Sequence, residues 1–295
     1  MIDYIKLSSR ISLEQEVYLR NRIDFSKSYN ESTGELETIL PNGKKVSTRS
    51  YGWIKNIKIE LFPGGYIELA GSIHKHYNDG KHNYNQFGIK EAEIALRRLI
   101  EVSGLELPKF KMESVEVGVN LMPPIPCDDI INNALMYKRK PFEAKYCSDE
   151  GNYRQATLSE YWVKLYNKRL HYEKQGYDIG HEILRFELKI NKMRVLAKYG
   201  VYTLEDLMNN IENIARDLLP KAWKEVLLYD PTMNNQTKEK TIKYANVNFW
   251  RGIAGKNNRS YNYHHRKLYR MMEGNTCAIQ AKVEDLMLET LDGLV

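Results

Sequence analysis

Three segments whose apolar residues alternate each carry one mid-strand glutamate: Glu68 in 66–73, Glu116 in 114–121 and Glu187 in 183–190. Glutamate is disfavoured in strands, and three carboxylates on one sheet face repel unless cations sit among them. A divalent ion resolves that conflict, because Mg²⁺ and Mn²⁺ favour carboxylate oxygen and leave room for imidazole. Ion pairing with Arg185, Lys189 and Lys164 resolves it equally well. His74 and His76 continue the parity of Glu68 if that strand runs on. Tyr166 and Lys168 add a Tyr-x-Lys pair on one strand face, within 161–168. A phenol is a weak nucleophile until a cation or metal lowers its pKa, and a lysine two residues along is placed to supply that field. Tyr161 and Tyr172 compete for the same role.

The elements that position these groups read from alternation and punctuation. Strands are expected over 2–7, 53–61, 66–73, 114–121, 161–168 and 183–190. Pro63-Gly64-Gly65 marks a hairpin turn, and Pro123-Pro124-Ile125-Pro126 ends the fourth strand. Val115, Val117, Val119 and Leu121 share one face, opposite Glu116, Gly118 and Asn120. Leu184, Phe186, Leu188 and Ile190 likewise oppose Arg185, Glu187 and Lys189. A helix is expected over 89–102, with Ile94, Leu96, Leu99 and Ile100 near one face, and a short one over 129–138 capped by Asp128. Thr203 with Asp206 opens a further helix as a capping box, which Pro220 kinks or restarts. Two more helices are expected near 260–273 and 277–291. The resulting fold class is α+β, an antiparallel sheet with helices on one face and a helical C-terminal region. Residues 1–200 form the expected catalytic part and 201–295 a basic, DNA-binding part.

The 295-residue chain has 42% hydrophobic and 28% charged residues, the balance of a globular protein. No run reaches the roughly 18 apolar residues that cross a bilayer, and no signal peptide is visible at the N-terminus. Three separated cysteines form no C-x-x-C pair, which argues against a disulfide framework and fits a reducing cytoplasm. Residues 234–282 hold ten Lys/Arg against two acids, so the remainder of this +6 chain sums to −2. A basic segment beside a near-neutral body suggests a polyanion surface. Within it Arg259, Arg266, Lys267 and Arg270 interleave with Tyr261, Tyr263, His264, His265 and Tyr269, and the histidines are expected to face DNA or solvent. A solvated helix face is the plainer alternative.

The stretch Gly71-Ser72-Ile73-His74-Lys75 in 66–87, then 114–121, Val163-Lys164-Leu165-Tyr166-Asn167-Lys168-Arg169 and Leu184-Arg185-Phe186-Glu187-Leu188-Lys189, resembles the gene II/X replication initiators of filamentous phages and related plasmids. The tail 193–200 and 203–207 follows in the same order, so the resemblance covers roughly residues 1–215. It implies a rolling-circle initiator with an architecture related to HUH endonucleases, acting in the cytoplasm of a bacterial host. It also implies the site: Tyr166 attacks DNA with Lys168 as partner, the acidic positions map to Glu68, Glu116 and Glu187, and His74 lies in the histidine-containing stretch. Arg185 and Lys164 are expected to contact DNA. The chain lacks a His-hydrophobic-His triplet; the nearest run is His74-Lys75-His76.

The reaction so implied is transesterification assisted by Mg²⁺ or Mn²⁺. Tyr166 attacks a scissile phosphate of single-stranded or extruded origin DNA, leaving a 5′-phosphotyrosyl link and a 3′-hydroxyl. A host helicase and polymerase are the expected partners. A plasmid mobilisation relaxase shares this chemistry, and a non-enzymatic origin-binding protein is the alternative without it.

Overall fold

The computed structural model describes residues 1–27, 37–39, 45–47, 49–144, 152–255, 258–273 and 278–294. Along the chain come β1 (Ile2–Arg10), α1 (Leu13–Arg20), β2 (Ser26–Lys27), β3 (Glu37–Ile39), β4 (Lys45–Ser47), β5 (Ser50–Ile54), β6 (Ile57–Phe62) and β7 (Tyr66–Ser72). Next are α2 (Ile73–Tyr77), α3 (Ile89–Ser103), β8 (Lys111–Leu121), α4 (Cys127–Asn133), β9 (Ala134–Tyr137), β10 (Lys140–Pro141) and β11 (Glu143–Ala144). Then follow β12 (Tyr153–Thr157), β13 (Tyr161–Asn167), α5 (Lys168–Glu173) and β14 (Leu184–Ile190). The last stretch holds α6 (Leu204–Lys224), β15 (Val226–Leu228), α7 (Asn235–Thr241), α8 (Val247–Ala254), α9 (Asn258–Glu273) and α10 (Ile279–Asp292).

The chain divides into two compact units, Met1–Glu116 with Ile190–Ile211 and Val117–Lys189 with Glu212–Val295. In the first unit β1, β7, β6, β5 and β2 are neighbours in that order, and in the second β11, β12, β13 and β14. The pairings of β1 with β7, β5 with β6, β6 with β7, and β12 with both β11 and β13 are antiparallel. This is the expected α+β class, a large antiparallel sheet with helices and a C-terminal helical region. The boundary expected near residue 200 falls inside the 190–211 segment of the first unit.

In the first unit, the turn Phe62–Tyr66 forms as Pro63-Gly64-Gly65 predicts, with Gly64 and Gly65 at φ 83° and 73°, a region open to glycine. The expected single strand 53–61 is two, β5 and β6, folded at Lys55-Asn56, where Lys55 takes φ 54°. A two-residue hairpin needs positive φ, and a Lys-Asn pair lacks the glycine that would have announced it. The strand expected to reach residue 73 stops one residue earlier. Ser72 caps α2 by accepting a hydrogen bond from the Lys75 amide at 3.0 Å, so His74 and His76 follow helical rather than strand geometry. In α3 the buried face is Ala92, Ala95, Leu96, Leu99 and Ser103, whereas Ile94 is exposed. The expected Thr203–Asp206 box is present, with reciprocal bonds of 2.8 and 3.2 Å.

In the second unit, Val117, Val119 and Leu121 of β8, Val163 and Leu165 of β13, and Leu184, Phe186 and Leu188 of β14 are all buried. The 212–224 part of α6 covers that apolar side, with Trp223 edge-on to Phe186 at 5.4 Å between ring centroids. α6 continues through Pro220 without a restart. The helix expected over 129–138 ends at Asn133 and gives way to β9, which pairs with β15. That strand lies in a region expected to be helical; three consecutive buried apolar residues, Val226 to Leu228, are too short a run to separate strand from helix. Around this pair, Trp250 of α8, Tyr261, Leu268 and Met272 of α9, and Tyr244 of the turn before α8 build a second core.

Candidate active site

On the polar face of β14, both oxygens of Glu187 are held by cations. Lys164 Nζ donates to Oε1 and Arg185 Nε to Oε2, each at 2.8 Å. All three side chains are close to fully covered, at 12%, 4% and 3% exposure for Lys164, Arg185 and Glu187. Arg185 Nη1 and Lys168 Nζ both donate to Asn120 Oδ1 at 3.3 Å. Gly118 makes this closeness possible: a Cβ there would lie 2.4 Å from Glu187 Cβ and 2.9 Å from Arg185 Nη2. The expected polar set Gly118, Asn120, Arg185 and Glu187 is thus one contact network. The pairing alternative is realised at Glu187.

Lys168 does not continue β13. Asn167 caps α5 by accepting from the Leu170 amide at 3.2 Å, and Lys168 opens the helix, 1% exposed. The strand parity that linked it to Tyr166 therefore does not apply. Its ammonium reaches the same polar network through Asn120 instead.

Tyr166 sits half-buried on β13, on the face that carries Trp162 and Lys164, while Val163 and Leu165 face the core. It is opposite Tyr153 on β12, with ring centroids 5.4 Å apart. The two competing tyrosines lie elsewhere. Tyr161 has the parity of Val163 and Leu165, and its hydroxyl is 3.1 Å from that of Tyr137 and accepts from Lys138 at 3.2 Å. Tyr172 is fully buried against Tyr177.

The first unit places the remaining expected ligands. Glu68 forms an ion pair with Lys6 at 2.9 Å, and faces Ser8 and Glu60 across its two neighbouring strands. Glu60 is in turn matched by Lys58 and Arg49 at 2.9 and 3.0 Å. His74 stacks on Phe87 at 4.3 Å, and its Nε2 lies 2.8 Å from Asn85 Oδ1. His76 is buried too, and burial, then Lys55 and Arg98, push its pKa down to about 4. Tyr4 is pushed up by burial, reinforced by Glu116 and Glu68 against the opposing effect of Lys6.

In the first unit, Asp3 and Glu116 are both buried, and Asp3 accepts hydrogen bonds from Ser72 Oγ and Asn83 Nδ2. Glu68 and His74 of the expected set are engaged with Lys6 and with Asn85 and Phe87.

The expected DNA-facing residues of α9 lie on its outer side. Arg259, Asn262, Tyr263, Arg266, Lys267 and Arg270 are exposed and line a groove of about 780 Å³, while Tyr261, Leu268 and Met272 face inward. The two histidines do not belong to that surface. His264 Nδ1 is 3.1 Å from the Tyr244 hydroxyl, and His265 stacks on Tyr269 at 4.6 Å. Burial lowers the pKa of both, with nearby lysines adding to the shift at His264.

No protein-family model matches the chain, and no curated protein matches it. Among solved structures, the rolling circle replication initiator protein from Geobacillus stearothermophilus is similar over 86% of this chain and 94% of that one, at 12% identity and a TM-score of 0.41.

Asp3 escaped the sequence reading. Its one signal was an acid inside a strand, but alternation groups it with Ile5 and Leu7, both buried apolar residues. Asn120 was placed on the polar face without a role, and only the fold shows it joining Lys168 to Arg185.

Proposed function

We propose that this protein initiates rolling-circle replication by nicking and rejoining single-stranded or extruded origin DNA through Tyr166. The observation that carries the reading is a nucleophile-bearing strand face shared with the carboxylate network. Tyr166 lies two residues from Lys164 on β13, and Lys164 contacts the buried Glu187. The order of the motifs around Tyr166 and Glu187 adds the replication context.

In this reading Glu187 is among the acids that would hold Mg²⁺ or Mn²⁺, which when bound supplies positive charge to a scissile phosphate. The phenol oxygen of Tyr166 gives up its proton and bonds to phosphorus as the 3′-oxygen leaves and takes up a proton, so a phosphotyrosyl diester and a 3′-hydroxyl replace the phosphodiester. The reverse attack by a 3′-hydroxyl reseals the strand, and no nucleotide cofactor is consumed. Lys168 and Arg185, fixed through Asn120, contribute preorganised positive charge on the same network. Gly118 leaves room for Glu187 and Arg185 to sit side by side. The outer face of α9 grips phosphates through Arg259, Arg266, Lys267 and Arg270. Phosphate contacts of that kind position DNA without reading its sequence.

The test is a denaturant-resistant adduct between the protein and labelled single-stranded origin DNA in Mn²⁺. Tyr166→Phe abolishes the adduct while binding stays within a few-fold; adducts that persist move the nucleophile to another tyrosine. Nicking that survives full chelation removes the metal. A second reading, origin binding without chemistry, draws on the neutralisation of Glu187 by Lys164 and Arg185 alone. It predicts DNA binding with no adduct under any metal.

A further inference from the structure

Every second residue of β13 points to its polar face, which therefore carries Trp162, Lys164 and Tyr166 in a row, all partly exposed. Lys164 and Tyr166 have parts in the nicking reading, and Trp162 has none. The indole stands between two neighbouring strands. On the β14 side the Lys189 ammonium sits over it, 5.7 Å from the ring centroid. On the β12 side its cross-strand partner is Thr157, a small and exposed side chain. The other end of the row is held in place. Tyr153 of β12 stands opposite Tyr166, and its hydroxyl donates to Gln155 Oε1 at 2.9 Å. Gln155 is buried and in turn donates to Thr157 Oγ1 at 2.8 Å. On β13 and β14 this face carries Lys164, Arg185 and Lys189 against the single acid Glu187, an excess of positive charge.

An aromatic ring among cations is complementary to an unpaired base and its phosphates. A base in a duplex cannot use such a ring without first leaving its stack. We propose that Trp162 stacks a base of single-stranded DNA. Lys189 braces the indole from one side, as a cation over an aromatic face does, and offers its charge to the adjoining phosphate. Four residues separate Trp162 from Tyr166, about 14 Å at roughly 3.4 Å each, which leaves a short stretch of strand between the stacked base and the attacked phosphate. The proposal rests on the nicking reading for which face meets DNA, and adds what that face selects. Stacking tolerates any sequence because every base has a π-face. Trp162 therefore favours unpaired over paired DNA and does not choose the origin. It is a binding residue, and no bond forms or breaks at it.

The experiment measures binding of two probes to the full chain without added metal. One is an oligothymidylate of about 12 nucleotides, within the usual range of single-strand site sizes. The other is an abasic strand of equal length, which keeps the phosphates and lacks the bases, so that any grip by α9 acts on both alike. Trp162→Ala is expected to weaken oligothymidylate binding on the order of 10-fold and to leave the abasic strand unaffected. Trp162→Phe keeps a ring and is expected to retain most of the affinity. Equal loss on both probes, or loss on neither, overturns the stack. If the alanine variant does not melt cooperatively, the intrinsic fluorescence of Trp53→Phe protein takes its place, since Trp223 and Trp250 are fully buried. Quenching by oligothymidylate and not by the abasic strand supports the stack, and equal quenching or none overturns it. Adducts through Tyr166 with no base-dependent loss at Trp162→Ala overturn the stack alone. Base-dependent loss at Trp162→Ala with no adduct under any metal supports the stack and overturns the nicking reading.

Discussion

The second unit carries positive charge in two opposite ways. Around Glu187, Lys164, Lys168 and Arg185 are covered and committed to a carboxylate or to Asn120. Along α9, Arg259, Arg266, Lys267 and Arg270 are exposed, on a helix anchored by Tyr261, Leu268 and Met272. Covered charges cost desolvation and keep their place only through defined partners, so they fix geometry. Exposed charges are screened by salt and flexible, so they set affinity and encounter rate. Under the proposed function, chemistry belongs where charge is held still, and grip where it is free to follow a polyanion.

The sharpest way to break that division is to remove the nucleophile. Tyr166→Phe is expected to eliminate the covalent adduct entirely, measured on a denaturing gel, and to leave salt-dependent binding intact. Glu187→Ala strands two covered cations, and is expected to cost about 3–5 kcal/mol of stability by denaturant titration, as for breaking a buried pair from one side. Replacing Arg266, Lys267 and Arg270 of α9 together by alanine leaves the fold unchanged. It is expected to reduce the slope of log affinity against log salt by roughly 2–3, near 0.9 per phosphate contact on duplex DNA. An unchanged slope would place the grip elsewhere. Gly118→Ala sets a Cβ 2.4 Å from Glu187 Cβ and 2.7 Å from the Phe186 carbonyl oxygen. Such overpacking is expected to cost about 1–3 kcal/mol, with a larger proportional loss in adduct formation than in binding.

The smallest effect concerns pH. His76 is held neutral in the fold, with a pKa near 4 against an ordinary 6.5. The unfolded chain therefore takes up a proton that the folded one refuses as pH drops below about 6.5. The contribution of His76 is present above that value and is lost as pH falls towards 4. Thermal melts from pH 7 to 4.5 are expected to lose stability that His76→Gln retains.

Much of the sheet was legible. In β8, β13 and β14 one side chain in two is apolar, and such a pattern has one stable way to face a core. Glu116, Gly118, Asn120, Arg185 and Glu187 could therefore be assigned to a common face before any contact was known. The failures share a cause. Strand parity was carried past the residue where a side chain caps a helix: Ser72 before His74, and Asn167 before Lys168. The hairpin at Lys55-Asn56 was lost because positive φ there is imposed by the pairing of β5 with β6, not by a glycine. His264 and His265, expected to face DNA or solvent, are part-exposed on α9 and also contact Tyr244 and Tyr269.

What the sequence determined by itself was which residue types share a strand face, because alternation is a local property of an extended chain. It also determined that residues 234–282 hold ten Lys/Arg against two acids, because composition is read from the chain itself. Tertiary structure alone decided that Glu68 goes to Lys6, and that Lys164 rather than Lys168 meets Glu187. Those choices depend on which strands become neighbours and in what register, a long-range outcome that no single segment encodes.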